Sequence, residues 1–229
     1  MKKAFFVLAT GKFKEYYQQL EKSFKHFNPD EELILFEEKD LPPNDPAIFY
    51  RSAPYFAKKL FDTGYDALVK LDSDQIITGN LSHLWDIDAD VGTVLNDPSF
   101  PIQLWDIIPY FNNGLVILKN KDFVEHWLRL CYSPHFNTYQ YREQDLLNIL
   151  CSDYLNYKVW CLDLTDKIYG EVGKPFWPKA RMEGDKIMIE NKQVMVIHFG
   201  GGWDAADKMN YKIRFQEPVI RYLDTLLKP

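Results

Sequence analysis

Disulfide and thiolate chemistry is what this sequence has least material for. Its three cysteines, Cys131, Cys151 and Cys161, are odd in number, lie in apolar surroundings and show no CxxC spacing, which favours buried free thiols over disulfides or zinc ligands. Positive charge is also short. With 27 Lys and Arg against 33 Asp and Glu, the formal net charge is −6 and the pI is near 5.4, so no broad basic surface is available for nucleic-acid phosphates. No apolar stretch is long enough to span a bilayer, and Ala4 to Ala9, after Met1-Lys2-Lys3, is too short for a signal-peptide core. A cytoplasmic protein without a membrane span is the expectation. There is no internal repeat or low-complexity segment, and 229 residues suit a single domain with one substantial core. Most of the 16 Phe, 14 Tyr and 6 Trp are expected in that core.

What the chain does contain is alternation of strand and helix signals. Ala4 to Ala9 is a continuous apolar run of the kind buried on both faces of a parallel sheet. Phe13, Tyr16, Tyr17, Leu20, Phe24 and Phe27 then recur at helical spacing until Asn28-Pro29. Leu33 to Phe36 predicts a second strand, the proline-rich stretch 41–46 a stiff loop, and Tyr55 to Thr63 a helix ended by Gly64. Ala67 to Leu71 is the third strand. The second half predicts strands at Val91 to Leu95, Leu115 to Leu118 and Val194 to Phe199. Its helices are predicted at Asp122 to Tyr132, Gln144 to Leu150 and over a tail from Ile213 to Leu227, where Pro218 places a kink or restart. This order predicts an α/β fold with a mainly parallel central sheet flanked by helices, whose ligands bind beyond the carboxyl ends of the strands.

The third strand ejects Asp72 and Asp74 at its tip. Two carboxylates one residue apart offer oxygen ligands to a hard divalent cation, which in turn can hold a diphosphate. Asp-x-Asp alone is weak, because Asp86-Ile87-Asp88 and Asp88-Ala89-Asp90 share it. Those two triplets sit in a polar loop stretch, and only Asp72 and Asp74 have a strand behind them.

Four pieces in order carry a resemblance: Leu71-Asp72-Ser73-Asp74, Phe111-Asn112-Asn113-Gly114, Glu143-Gln144-Asp145-Leu146-Leu147-Asn148 and Ile197-His198-Phe199-Gly200-Gly201. On them the chain resembles the GT-A glycosyltransferases, specifically the retaining family-8 type that includes glycogenin and bacterial lipooligosaccharide galactosyltransferases. The resemblance implies the GT-A fold over 1–229, with a nucleotide-binding half (1–95) and an acceptor and catalytic half (96–229). It implies Asp72, Asp74 and His198 as ligands of Mn²⁺ (or Mg²⁺), and Asn113 and Gly114 as contacts of the donor sugar. Glu143 would hold sugar hydroxyls and Gln144 would lie beneath the anomeric carbon, with Asp145 completing the catalytic set; Glu143 departs from the family's aspartate. Gly201 would close on the diphosphate beside Ser73. Lys208 is the nearest counterpart of the family's phosphate lysine, although the lysine-proline-tryptophan pattern is replaced by Gly202-Trp203-Asp204-Ala205-Ala206-Asp207-Lys208. Leu8, Ala9 and Thr10 are similar to the opening of the family-6 transferases, where the uracil is received, and Arg51 stands where those enzymes carry an arginine.

The function so implied is metal-dependent transfer of a hexose from a nucleoside-diphosphate sugar, UDP-linked by resemblance, to a glycan or other hydroxyl acceptor, with retention. The alternative on the same fold is a nucleotide-sugar or glycan-binding module that has lost turnover. A nucleotidyltransferase would need a glycine-rich basic loop near the first strand, and Thr10-Gly11-Lys12-Phe13-Lys14 has a single glycine. The acidic pI argues against a transferase acting on DNA. Acceptor loops are expected at 96–110, with Trp105, and at 167–181, with Phe176 and Trp177.

Overall fold

In a computed structural model, the structure describes all residues except 46, 97–106, 108, 154–155, 172–176, 200–214 and 229. The first apolar run forms strand β1 (Lys3–Leu8), which pairs parallel with β2 (Leu33–Phe36) and with β3 (Ala67–Asp72). Beyond β3 lie β6 (Phe111–Leu118), antiparallel to it, then β5 (Val91–Leu95) and β7 (Val159–Cys161), giving the order β2-β1-β3-β6-β5-β7. β1 and β3 read as unbroken apolar runs because both faces are covered. Ala4, Phe6 and Leu68 pack beneath α2 (Ser52–Asp62), α3 (Lys121–Cys131) and α4 (Glu143–Cys151). Phe5, Val7, Val69 and Leu71 pack against Tyr17, Leu20 and Phe24 of α1 (Phe13–Phe27). Each large side chain fully buried this way contributes about 1.5–3 kcal/mol.

Chain punctuation follows local chemistry. Gly11 has φ 50° in the turn between β1 and α1. At the end of α1, Asn28 donates its backbone N–H to Phe24 O (2.8 Å) and accepts from Leu81 N (2.7 Å) through Oδ1, which ties the helix to the loop that carries Leu81. Pro218 falls in the first turn of α5 (Glu217–Leu227), where a missing N–H is harmless. The expected kink or restart in the tail is therefore a helix start.

A second sheet positions the other half of the site. β4 (Gln75–Ile77) pairs antiparallel with β11 (Lys192–His198), setting His198 opposite Gln75; β10 (Lys186–Ile189) and β9 (Arg181–Glu183) continue it, and β8 (Lys167–Glu171) runs parallel to β11. Ile187, Ile189, Val194 and Ile197 of this sheet bury against Val219 and Leu223 of α5. β4 and β7 to β10 were not anticipated, because strands of three to five residues with mixed polarity carry almost no periodicity. Trp177, expected in an acceptor loop, is instead buried in this core against Phe215, with ring centroids 5.4 Å apart. Trp105 and Phe176 lie outside the described residues. Cys131, Cys151 and Cys161 are free thiols, the first two buried. Among the described residues no helix is long and apolar enough to cross a membrane.

Candidate functional site

β3 ends at Asp72, directly beside Leu8 at the end of β1, so the acidic pair stands at the carboxyl edge of the parallel strands. The chain turns through Ser73-Asp74 into β4, and β11, paired with β4, delivers His198 to the same point; Phe199 N donates to Asp74 O (3.2 Å) and fixes this junction. His198 Nε2 lies 3.3 Å from Asp72 Oδ2 and 3.3 Å from Asp74 Oδ1. One ligand atom from each of the three residues falls within 4.8 Å of the others. Asp74 is buried, and among the described residues its Oδ2 has no hydrogen-bond partner. A buried carboxylate oxygen left without a donor is expensive unless a cation takes it up. Two carboxylates and an imidazole form a donor set that suits an intermediate divalent metal, so these residues fit a divalent cation.

Burial alone would lower the His198 basicity, but the Asp74 and Asp72 carboxylates outweigh it and raise the imidazole well above its usual range. Burial would raise Asp72, yet Lys70 and His198 win and hold it at about 2. Lys70 belongs to the candidate site and is not singled out in the sequence. It is buried, pairs with Asp72 Oδ1, and donates to Asn113 O (2.7 Å). The available signal was a lone cation inside the apolar run Ala67-Leu68-Val69-Lys70-Leu71, a place where a charge needs a built partner.

The opposite wall is a bulge in β6. The β5–β6 ladder jumps from Thr93↔Val116 to Val94↔Asn112, which throws Asn113 and Gly114 out of register. Thr93 Oγ1 donates between Asn112 O (2.6 Å) and Leu115 O (2.9 Å), and Gly114 N donates to Asn112 Oδ1 (2.7 Å). From α4, Asn148 accepts from Phe111 N (2.6 Å) and donates to Phe111 O (2.8 Å). The Asn-Gly pair was expected at the mouth of a strand starting at Leu115. These bonds instead hold it inside a longer strand as a bulge, the usual device for re-aiming side chains near a site. Gly114 is required by space: a Cβ there would lie 2.3 Å from His198 Cε1 and 2.6 Å from Nδ1.

Asn113 Nδ2 donates to Glu143 Oε1 (3.1 Å) and Asn113 N to Gln144 Oε1 (3.1 Å). Glu143 Oε2 is buried and accepts no hydrogen bond within 3.5 Å among the described residues, although the Ala53 backbone acts on the carboxyl. Burial, helped by Asp72 and opposed by Lys70 and Asn113, pushes the Glu143 carboxyl up to about 8.

The cleft so formed brings together Leu8, Asp72, Ser73, Asp74, Asn113 and Glu143 of the sequence-predicted set. Gln144 lines an adjoining lobe that shares Asn113 and Glu143. Ala9 is fully buried, while Thr10 is half-buried and accepts from Phe13 N (3.0 Å) at the start of α1. Asp145 stands behind the wall, fully buried, accepting from Tyr110 Oη (2.6 Å) and Tyr141 N (2.7 Å). The Arg51 guanidinium pairs with Asp45 (3.2 Å) and lies over the rings of Tyr132 (4.6 Å) and Phe136 (4.4 Å). Gly201 and Lys208 lie outside the described residues.

The mixed central sheet flanked by helices matches the GT-A fold of its structural neighbours. The chain has the fold of solved glycosyltransferases. It is similar to a glycosyltransferase involved in the glycosylation of the major capsid of PBCV-1, with TM-score 0.63 and 13% identity over 91% of this chain and 98% of that one. It is also similar to the galactosyltransferase LgtC, solved with donor and acceptor sugar analogs, with TM-score 0.59 and 18% identity over 90% and 93%. The bifunctional glycosyltransferase WbbM matches with TM-score 0.60 and 16% identity over 96% of this chain and 51% of its own length. No protein-family model matches the chain, and neither does any curated protein sequence.

Proposed function

We propose that this protein is a metal-dependent glycosyltransferase that moves a hexose from a UDP-sugar to a hydroxyl acceptor with retention. The observation that carries the reading is the convergence of Asp72, Asp74 and His198, with Asp74 Oδ2 buried and unpartnered among the described residues, on a cleft whose other wall is Asn113 and Glu143. We read the chain as one domain whose 1–95 half binds nucleotide and whose 96–229 half binds acceptor.

In this reading Asp72, Asp74 and His198 would hold Mn²⁺ or Mg²⁺, which when bound neutralises charge building on the departing diphosphate. Leu8 and Thr10 receive the nucleoside, Ala9 being fully buried and without accessible surface for it, and Ser73, Gly201 and Lys208 serve the diphosphate. Lys70 fixes the Asp72 carboxylate and, through Asn113 O, the bulge that faces it. Glu143, its carboxyl pushed up to about 8 by burial, lines both lobes of the cleft and would hold sugar hydroxyls there. Gln144 orients Asn113 by accepting its backbone N–H, and Asp145 holds Tyr110, whose Oη accepts from Gln144 Nε2 (3.3 Å). Catalysis is then chiefly leaving-group stabilisation and positioning.

Thermal melting with Mn²⁺ and a panel of nucleotide-sugars, beside Asp74→Ala, tests the reading, since ligands of the folded state raise the melting temperature. UDP plus Mn²⁺ should stabilise the parent and not the variant. Stabilisation without turnover on any acceptor would point to a binding module, and no stabilisation by any nucleotide would overturn the site.

A further inference from the structure

The adjoining lobe opens between Phe49-Tyr50 and residues 140–144, with a volume of about 470 Å³. It shares Phe49, Asn113 and Glu143 with the first cleft but none of Asp72, Ser73 or Asp74. A molecule filling it therefore lies at the sugar end of the site, away from the candidate metal ligands. Arg142 lines this lobe, and three features set it apart.

Its backbone sits at φ 47°, ψ −107°, in the left-handed half of conformational space that side chains avoid. Such a conformation persists only where the surroundings over-determine it, and it concentrates at functional positions. Here the flanking residues are clamped: Tyr141 N donates to Asp145 Oδ2 (2.7 Å), and Trp127 Nε1 donates to Glu143 O (2.9 Å). The guanidinium carbon lies over the Tyr50 ring, 3.9 Å from its centroid, and 6.0 Å from that of Phe136, contacts that hold the group in the lobe. Among the described residues no carboxylate pairs with it, although the chain carries an excess of acids. By contrast Lys70, in the first cleft, and Arg51, outside it, each have an acid.

A half-buried guanidinium on a strained backbone, held over a ring and without a counter-ion among the described residues, is arranged to take a planar or tetrahedral oxyanion in bidentate fashion. We propose that Arg142 makes this lobe an oxyanion subsite and that the acceptor sugar carries a carboxylate or a phosphate. Phe49, 38% exposed and shared by both lobes, supplies the apolar platform beside it. The inference rests on the transferase reading for the word acceptor, whereas the anion site stands on Arg142 itself.

The test is calorimetric titration of glucose 6-phosphate, glucuronate and glucose into the parent, Arg142→Gln, Arg142→Lys and Tyr50→Leu. Each titration is run on protein alone and again with saturating UDP and Mn²⁺, which excludes the probes from the donor's own phosphate position. The parent should bind at least one charged probe tenfold or more tighter than glucose in both formats. Arg142→Gln should lose that preference, Arg142→Lys should keep only part of it, and Tyr50→Leu should weaken it without altering charge. Preference for the phosphate or for the uronate identifies which oxyanion is read. Equal binding of all three probes, or a preference that survives in Arg142→Gln, overturns the proposal. Failure of UDP and Mn²⁺ to bind while the charged-probe preference remains would overturn the transferase reading alone. Melting curves check that each variant is folded.

Discussion

Replacing Gly114 by alanine isolates the geometry of the candidate metal site in one methyl group. Gly114 is not itself a ligand, and no positive φ makes alanine strained there. The added Cβ would sit 2.3 Å from His198 Cε1, whereas ordinary contact begins at 3.4 Å. The ring must therefore move by about 1.1 Å, or the Asn112–Leu115 bulge must shift by as much. Thr93, whose one hydroxyl proton is shared between Asn112 O and Leu115 O, and Asn148, bonded to both backbone groups of Phe111, brace that bulge, so the ring is the softer partner. Metal sites tolerate about 0.2 Å in ligand distance. A displacement several times larger removes His198 from the donor set and leaves two carboxylates. Disturbing the groups that orient a ligand weakens metal binding by roughly 10- to 100-fold. The expected outcome is a loss of Mn²⁺ affinity of that size in Gly114→Ala, measured by calorimetry or by the paramagnetic signal of free Mn²⁺, with far-UV dichroism close to the parent's. Parental Mn²⁺ affinity in a folded Gly114→Ala protein would refute the assignment of His198 as a ligand.

Three further predictions concern protons and strain. His198 is raised well above its usual range by Asp74 and Asp72 against the effect of burial, so at neutral pH a metal must displace its proton; Mn²⁺ affinity should fall by about tenfold per pH unit on acidification, with close to one proton released per ion in buffers of differing ionisation enthalpy. Glu143, raised by burial from 4.5 to about 8, favours the folded state in its protonated form, and that contribution is lost as pH rises through the folded value. Glu143→Gln should therefore gain a few kcal/mol on the parent between about pH 5 and about pH 9 in denaturant titrations, and a flat difference would argue against a buried Glu143 carboxyl. Arg142→Gly removes the left-handed strain and should raise stability by about 1 kcal/mol in the same assay while losing the charged-probe preference.

The acidic pair was legible because a strand that is apolar on both faces and ends in Asp-x-Asp has few other uses, and Asn113, Glu143 and His198 were legible by resemblance. The long helices were legible as well, since α1 and α3 repeat their apolar residues over several turns. Lys70 was not singled out, because a single lysine in a strand declares nothing about its partner until β6 is laid beside it. The mixed second sheet stayed hidden for another reason: its strands are short and half-polar, and only pairing with β11 gives them a reason to be extended.

By itself, the sequence determined which residues have the chemistry for a cation and where the parallel strands begin and end, since both follow from residue type and local periodicity. Tertiary structure alone decided that they meet. Residues 72, 74, 113, 143 and 198 come together through the pairing of β4 with β11, the packing of α4 on β6 and a bulge held by Thr93. Those contacts join positions far apart in the chain, where no local pattern reaches. They also leave Arg142 without an acid among the described residues and press Gly114 against His198, two consequences of packing that no reading of residue types contains.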